Sequence, residues 1–117
     1  MDEKDTIAAL AALAQPTRLQ TFRLLVAAEP EGIAAGVLAQ QLAVPQNTMS
    51  AHLATLSRAG LATSTRDGRS IIYRADLDGL RSAMLFLVND CCGGDAALCA
   101  PLIADLSPSC PPAEKCC

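Results

Sequence analysis

Apolar residues recur at helical spacing through most of the first 60 residues. An Ala- and Leu-rich stretch covers 5–14. Pro16 stands where a second helix would begin, because the first turn of a helix leaves the missing proline N–H unpaired anyway. Two more stretches, 34–42 and 46–59, keep the same spacing, and Gly60 is placed to end the last of them. The pattern predicts four short helices in succession. The side chains expected to face the core from the last two are Val37, Leu38, Leu42, Met49, Leu53 and Leu56.

The apolar period then changes from about 3.6 residues to 2. Residues 61–75 are rich in Thr, Ile and Tyr around Asp67-Gly68, a dipeptide that predicts a two-residue hairpin turn. Asp76 is placed to cap a last long helix that runs to about Cys92. Its apolar positions step by three and four residues, the spacing of a helix that packs along another helix. These positions are Leu77, Leu80, Met84, Leu87 and Cys91.

Length and composition predict one domain of modest core that completes its burial by dimerising. The chain has 117 residues, only three aromatic side chains and no apolar run near the 18–20 residues of a membrane span. Residues 1–5 are acidic and resemble no signal peptide, so we expect a cytoplasmic protein without a membrane partner. We expect residues 1–92 to form the folded domain and residues 93–117 to form a Cys-rich, partly flexible tail.

The net charge of −3 is unevenly distributed. Residues 46–74 hold four arginines and one aspartate, whereas both ends of the chain are acidic. A basic segment in an acidic chain is typical of a small surface that faces an anion.

The order of elements, two short helices and then a hairpin with arginines at its tip, predicts a mainly α winged helix-turn-helix. The second of those helices would enter the major groove of double-stranded DNA, and the wing arginines would contact phosphates or a minor groove. His52 is the weakest member of the set, since a lone helical histidine is often structural. The candidate DNA contacts are Gln46, Asn47, Thr48, Ser50, His52, Arg66 and Arg69.

In these residues the chain resembles the ArsR/SmtB metalloregulatory repressors. The shared features are the Pro-Thr-Arg opening at 16–18, Ser-x-His-Leu at 50–53, Leu-x-x-Ala-Gly-Leu at 56–61 and Arg-x-Gly-Arg at 66–69. Pro45 departs from the family, where a serine often caps the recognition helix. The resemblance implies a homodimer that joins through the first and last helices and represses its operator until an inducer binds.

All six cysteines lie in the last 27 residues. The Cys-x-Cys arsenic site of some relatives is absent from 36–40, and the last helix lacks the histidine of the family's zinc site. Three sulfurs without an imidazole suit pyramidal As(III) or Sb(III), whereas Zn²⁺ prefers four ligands, commonly in C-x₂₋₄-C pairs. We therefore predict that Cys91, Cys92 and Cys99 bind As(III) or Sb(III) as the inducer. Cys91 continues the row of apolar positions on the last helix, so an ion bound there would touch the dimer interface. Drawing Cys99 onto the end of that helix would rotate one protomer against the other and weaken operator binding.

Several alternatives stay open. Cys110, Cys116 and Cys117 would form a second site or a plain thiol tail. A repressor of the same fold that responds to Cd or Pb, or to thiol oxidation, would use the same cysteines. An arsenate reductase is disfavoured, because such enzymes hold their oxyanion with an arginine that follows the cysteine, and the last arginine here is Arg81. We expect no enzymatic activity.

Overall fold

Capping groups set the starts of the first two helices in the computed structural model, which describes residues 2–90. Helix α1 spans Glu3–Leu13, and Oδ1 of Asp2 accepts a hydrogen bond from the Asp5 amide at 2.8 Å. Helix α2 spans Pro16–Ala27, with Pro16 in its first turn as predicted. The Gln15 side chain accepts from the Arg18 amide at 2.8 Å. Helix α1 begins before residue 5 because Asp2 satisfies one of its first amides.

The next two helices each end in a left-handed turn. Helix α3 spans Ala35–Gln41 and helix α4 spans Gln46–Arg58. After α4, Gly60 has φ +79°, its amide donates to Ser57 O at 3.1 Å, and the Leu61 amide donates to Leu56 O at 2.9 Å. These two bonds form a Schellman motif, which confirms Gly60 as the predicted stop.

The structure contains a three-stranded antiparallel sheet. Two of its strands follow α4, and the third is a short strand that precedes α3. Strand β2 spans Ala62–Asp67 and strand β3 spans Ser70–Ala75, with Asp67 paired to Ser70. The loop is therefore Gly68-Arg69, one residue later than the predicted Asp67-Gly68, because glycine with φ +62° takes the first loop position. Strand β1, Ile33–Ala34, pairs with β3 and gives the order β1-β3-β2. The sequence did not predict β1, since two residues show no alternation.

Leucines and alanines make up most of the core. Met49, Leu53 and Leu56 are fully buried, which confirms the predicted inner face of α4. Each such side chain contributes about 1.5–3 kcal/mol of burial free energy. The prediction for α3 was partly wrong, because Leu38 and Ala39 are buried while Val37 is 42% exposed. Leu42 is half-buried and packs against the core as predicted, whereas Val37 lines a groove on the surface.

The last helix, α5, spans Leu77–Leu85, and Asp76 caps it as predicted. Oδ1 of Asp76 accepts from the Gly79 amide at 3.2 Å. The prediction of one α-helix to about Cys92 was wrong within the described residues, because Phe86–Asp90 forms a π-helical turn. Its i→i+5 bonding widens the turn, so residues 87–90 do not keep the three-and-four spacing of an α-helical apolar face. The chain divides into two units at Ala83 and Met84, and the packing described here is that of the first.

Among residues 2–90, no helix is both long enough and apolar enough to cross a membrane.

Candidate nucleic-acid interface

The first two turns of α4 present a row of short polar side chains away from the core. Met49 is fully buried, whereas its neighbours Thr48 and Ser50 are exposed. Gln46 and Asn47 are exposed as well, so four of the predicted DNA contacts lie on the surface at one end of the helix. The Asn47 Oδ1 accepts a hydrogen bond from the Thr48 amide at 2.9 Å. This follows from helical geometry, because Met49, Leu53 and Leu56 occupy one face and turn the intervening positions outward.

A groove of about 610 Å³ runs between this end of α4, helix α3 and the wing formed by β2 and β3. Gln46 and Ser50 line it from α4, and Arg69 lines it from the wing. The structure thus brings together three predicted contacts that lie up to 23 positions apart in the sequence. Val37 and Gln40 of α3 also line the groove, and the sequence predicted neither. It assigned Val37 to the core, and Gln40 lies outside the segment of the predicted DNA contacts.

Arg66, the second wing arginine, is exposed but lines a different depression, shared with Glu31 and Arg74. The two arginines at the wing tip, Arg66 and Arg69, therefore lie on different sides of the wing, with Arg69 toward α4.

Arg74, the last arginine of the basic segment, fixes the wing to the turn that precedes β1. Its Nε donates to Pro30 O at 2.8 Å, and its Nη1 donates to Thr65 Oγ1 at 3.0 Å. Close packing continues at Gly32, where φ is +82° and a Cβ atom would lie 2.6 Å from Tyr73 O. From the sequence, Arg74 was counted only toward the positive charge of residues 46–74. Its two hydrogen bonds were not predicted, because the partners lie 44 and 9 residues away in the sequence.

His52 differs from the other candidates because it is half-buried and contacts a side chain of another helix. Nη1 of Arg18 lies 3.5 Å from His52 Nδ1. Nε of the same guanidinium donates to Ala12 O at 2.7 Å. The sequence placed Arg18 in the Pro-Thr-Arg opening but gave no sign that it reaches α4.

The predicted metal ligands Cys91, Cys92, Cys99, Cys110, Cys116 and Cys117 lie outside the described residues. Within residues 2–90, no group of three His, Cys, Asp or Glu side chains is arranged to hold a metal ion.

Known proteins share this arrangement. Residues 13–65 match the model of a helix-turn-helix domain family. The nodulation protein NolR of Rhizobium meliloti is 33% identical over 86 residues, which cover 74% of this chain and 67% of NolR. An ArsR-like transcriptional regulator from Rhodococcus sp. RHA1 superposes with a TM-score of 0.67 at 27% identity, covering 92% of this chain and 96% of that one.

The chain belongs to the ArsR-like family of DNA-binding transcriptional regulators. A further similar structure is the homodimeric winged helix-turn-helix DNA-binding domain of Mb0332 from Mycobacterium bovis. It has a TM-score of 0.60 at 27% identity, over 87% of this chain and 80% of that one. The comparisons confirm the predicted winged helix-turn-helix fold. The relatives of this ArsR-like regulator are DNA-binding proteins and not enzymes, in agreement with the sequence prediction.

Proposed function

We propose that this ArsR-like regulator is a homodimeric repressor that reads operator DNA with α4 and the wing. The observation that carries the proposal is the shared groove, in which Gln46 and Ser50 of α4 face Arg69 of the wing. A helix in the major groove beside a basic wing is the docking arrangement of this fold.

The exposed side chains of α4 suit this role chemically. Gln46 carries an amide, which pairs in bidentate fashion with N6 and N7 of adenine in the major groove. Asn47, whose Oδ1 accepts from the Thr48 amide at 2.9 Å, offers its NH₂ group as a donor. Thr48 and Ser50 offer hydroxyl groups to bases or phosphates. Arg69 and Arg66 would then contact phosphates, or a minor groove, on the two sides of the wing.

Exposed apolar side chains support the dimer. Ile7 and Leu10 of α1 are 59% and 44% exposed and lie three residues apart, on one face of that helix. Leu77 of α5 is 45% exposed. A contact through the first and last helices would cover such side chains. A two-fold dimer would place its two α4 helices in major grooves about 34–36 Å apart.

The proposed inducer is As(III), or Sb(III), bound by Cys91, Cys92 and Cys99. Support comes from the sequence, in which every cysteine follows α5 and no histidine accompanies them. Thiolates select soft ions, and three of them complete the pyramidal coordination of As(III). The second candidate is a repressor released by Cd or Pb, or by oxidation of the same thiols.

DNA selection with the reduced full-length protein tests the DNA-reading part. From a pool of randomised duplexes we expect enrichment of two half-sites related by two-fold symmetry, with centres about 10 base pairs apart. Gln46→Ala should lower affinity for the selected duplex, whereas Gln20→Ala, on the exposed side of α2, should not. A pool without any enriched sequence would overturn the proposal.

Release from the selected duplex tests the inducer. We expect arsenite to release the wild-type protein and Cys110→Ser, but not Cys99→Ser. Full release of Cys99→Ser by arsenite would show that the three-thiol site is wrong. Release by Cd²⁺ or by a disulfide-forming oxidant, with no response to arsenite, would favour the second candidate.

A further inference from the structure

We infer that Arg18 is a positioning residue for DNA recognition, which holds His52 of α4 as the tautomer that carries its proton on Nε2. This inference rests on the proposed operator binding, in which the Nε2–H group would donate to the DNA.

Three hydrogen bonds define the position of Arg18. Its amide donates to the Gln15 side chain at 2.8 Å, at the start of α2. Its Nε donates to Ala12 O at 2.7 Å, a carbonyl in the last turn of α1 that has no partner within that helix. The bond from Nε fixes one side of the guanidinium. Nη1, on the other side, then lies 3.5 Å from His52 Nδ1.

This contact determines the protonation pattern of the ring. A guanidinium has only donors, so the nitrogen that faces it must act as an acceptor. In a neutral imidazole with Nδ1 as acceptor, the proton is on Nε2. An N–H group on Nδ1 would point its hydrogen at another N–H group and lose the bond. Arg18 therefore selects one of the two neutral tautomers.

The placement of His52 favours a role at the surface over a role in the core. Residues Met49 and Leu53, on either side of it along α4, are fully buried, yet His52 is only half-buried. Its Nδ1 is engaged by α2, and the opposite ring nitrogen is left as a donor. The same arginine also joins the end of α1 to α4, so it fixes the recognition helix relative to the first helix.

The chain contains one histidine, so imidazole ¹⁵N signals report on His52 without assignment. We would record long-range ¹H–¹⁵N spectra of the reduced full-length protein without DNA, at a pH where the ring is neutral. The wild type should show one protonated and one unprotonated nitrogen, with Nε2 protonated. Arg18→Met should move both signals toward the average of the two tautomers, and the exposed control Arg23→Met should not. Unchanged signals in Arg18→Met would overturn the inference, whether or not the protein binds DNA.

A double-mutant cycle on the selected duplex then tests whether Arg18 acts through His52. Arg18→Met should weaken binding about tenfold in the wild type, but less than about twofold in a His52→Ala background. Equal losses in both backgrounds would show that Arg18 acts independently of His52. If Arg18→Met lacks the native circular dichroism spectrum, Arg18→Lys serves instead, because one ammonium group does not provide the fork that reaches both acceptors.

Discussion

The backbone of Gly79 in α5 lies directly against the carbonyl group of Gly60, the residue that ends α4. A Cβ atom at position 79 would overlap Gly60 O. Asp76 reinforces the contact, since its amide donates to Leu61 O at 2.8 Å while its side chain accepts from the Gly79 amide. At positions 60 and 79 the end of the recognition helix and the start of α5 therefore meet with backbone against backbone.

Gly79→Ala should lower the free energy of unfolding by about 1–3 kcal/mol, because backbone must move to admit the methyl group. The loss should exceed the gain of about 1 kcal/mol that alanine brings to a helix interior. Urea denaturation at one fixed protein concentration measures it. Gly36→Ala in α3 is the matched control, since its Cβ would make only an ordinary contact of 3.7 Å with the Gln46 side chain. We expect that control to be neutral or slightly stabilising, and equal stability of Gly79→Ala and wild type would contradict the packing.

Ala43→Gly should stabilise the protein by about 0.5–1 kcal/mol. Ala43 follows α3 with φ +54°, where its amide donates to Gln40 O at 3.2 Å and the Val44 amide donates to Ala39 O at 3.0 Å. This Schellman motif normally uses glycine, since a side chain costs free energy in the left-handed region. Ala59→Gly is the control, because Ala59 has φ −80° and glycine there should destabilise. A lower melting temperature for Ala43→Gly would show that the turn is not strained.

The two wing arginines should each contribute to the salt dependence of DNA binding. Arg69→Gln and Arg66→Gln should each weaken binding to the selected duplex and reduce the slope of log affinity against log salt by about 1. Arg23→Gln, on the exposed side of α2, should leave the slope unchanged. Fluorescence anisotropy across a salt series measures these effects. An unchanged slope for Arg69→Gln would show that the wing tip does not contact DNA.

Arg74→Lys should weaken DNA binding although the net charge is unchanged. A lysine does not make both the bond to Pro30 O and the bond to Thr65 Oγ1, so the wing would lose part of its attachment. We expect a loss of about 0.5–1.5 kcal/mol in binding free energy, measured by the same anisotropy assay. Arg23→Lys is the control for the substitution itself. Equal affinity of Arg74→Lys and wild type would show that the attachment does not affect the wing as a DNA contact.

The sequence predicted those features that depend on local rules. Pro16, Gly60 and Asp76 mark helix ends through requirements of the backbone at those positions, and the apolar spacing of α4 placed Met49, Leu53 and Leu56 correctly. Such signals are contained in a few consecutive residues, so they can be read without the fold.

The features that the sequence missed depend on contacts between distant segments. The bond from Arg18 to His52 joins residues 34 positions apart, and the bond from Arg74 to Pro30 joins residues 44 apart. The exposure of Val37 also depends on how α3 lies against the rest of the core. Residue type and spacing do not encode these partners, which is why the sequence marked His52 only as the weakest candidate DNA contact and gave no sign that Arg18 reaches it.

Arsenite titration of the reduced protein should show one tightly bound As(III) per chain, held by Cys91, Cys92 and Cys99. Mass spectrometry under non-denaturing conditions counts the bound ions directly. The variant Cys110→Ser/Cys116→Ser/Cys117→Ser should still bind one As(III) and should still release the selected duplex. The matched variant Cys91→Ser/Cys92→Ser/Cys99→Ser should not release it, because the remaining thiols lie at least 20 residues beyond Asp90, the last described residue of the helical segment. If that second variant binds As(III) and leaves the DNA as readily as the wild type, Cys110, Cys116 and Cys117 form the inducer site and the first trio does not.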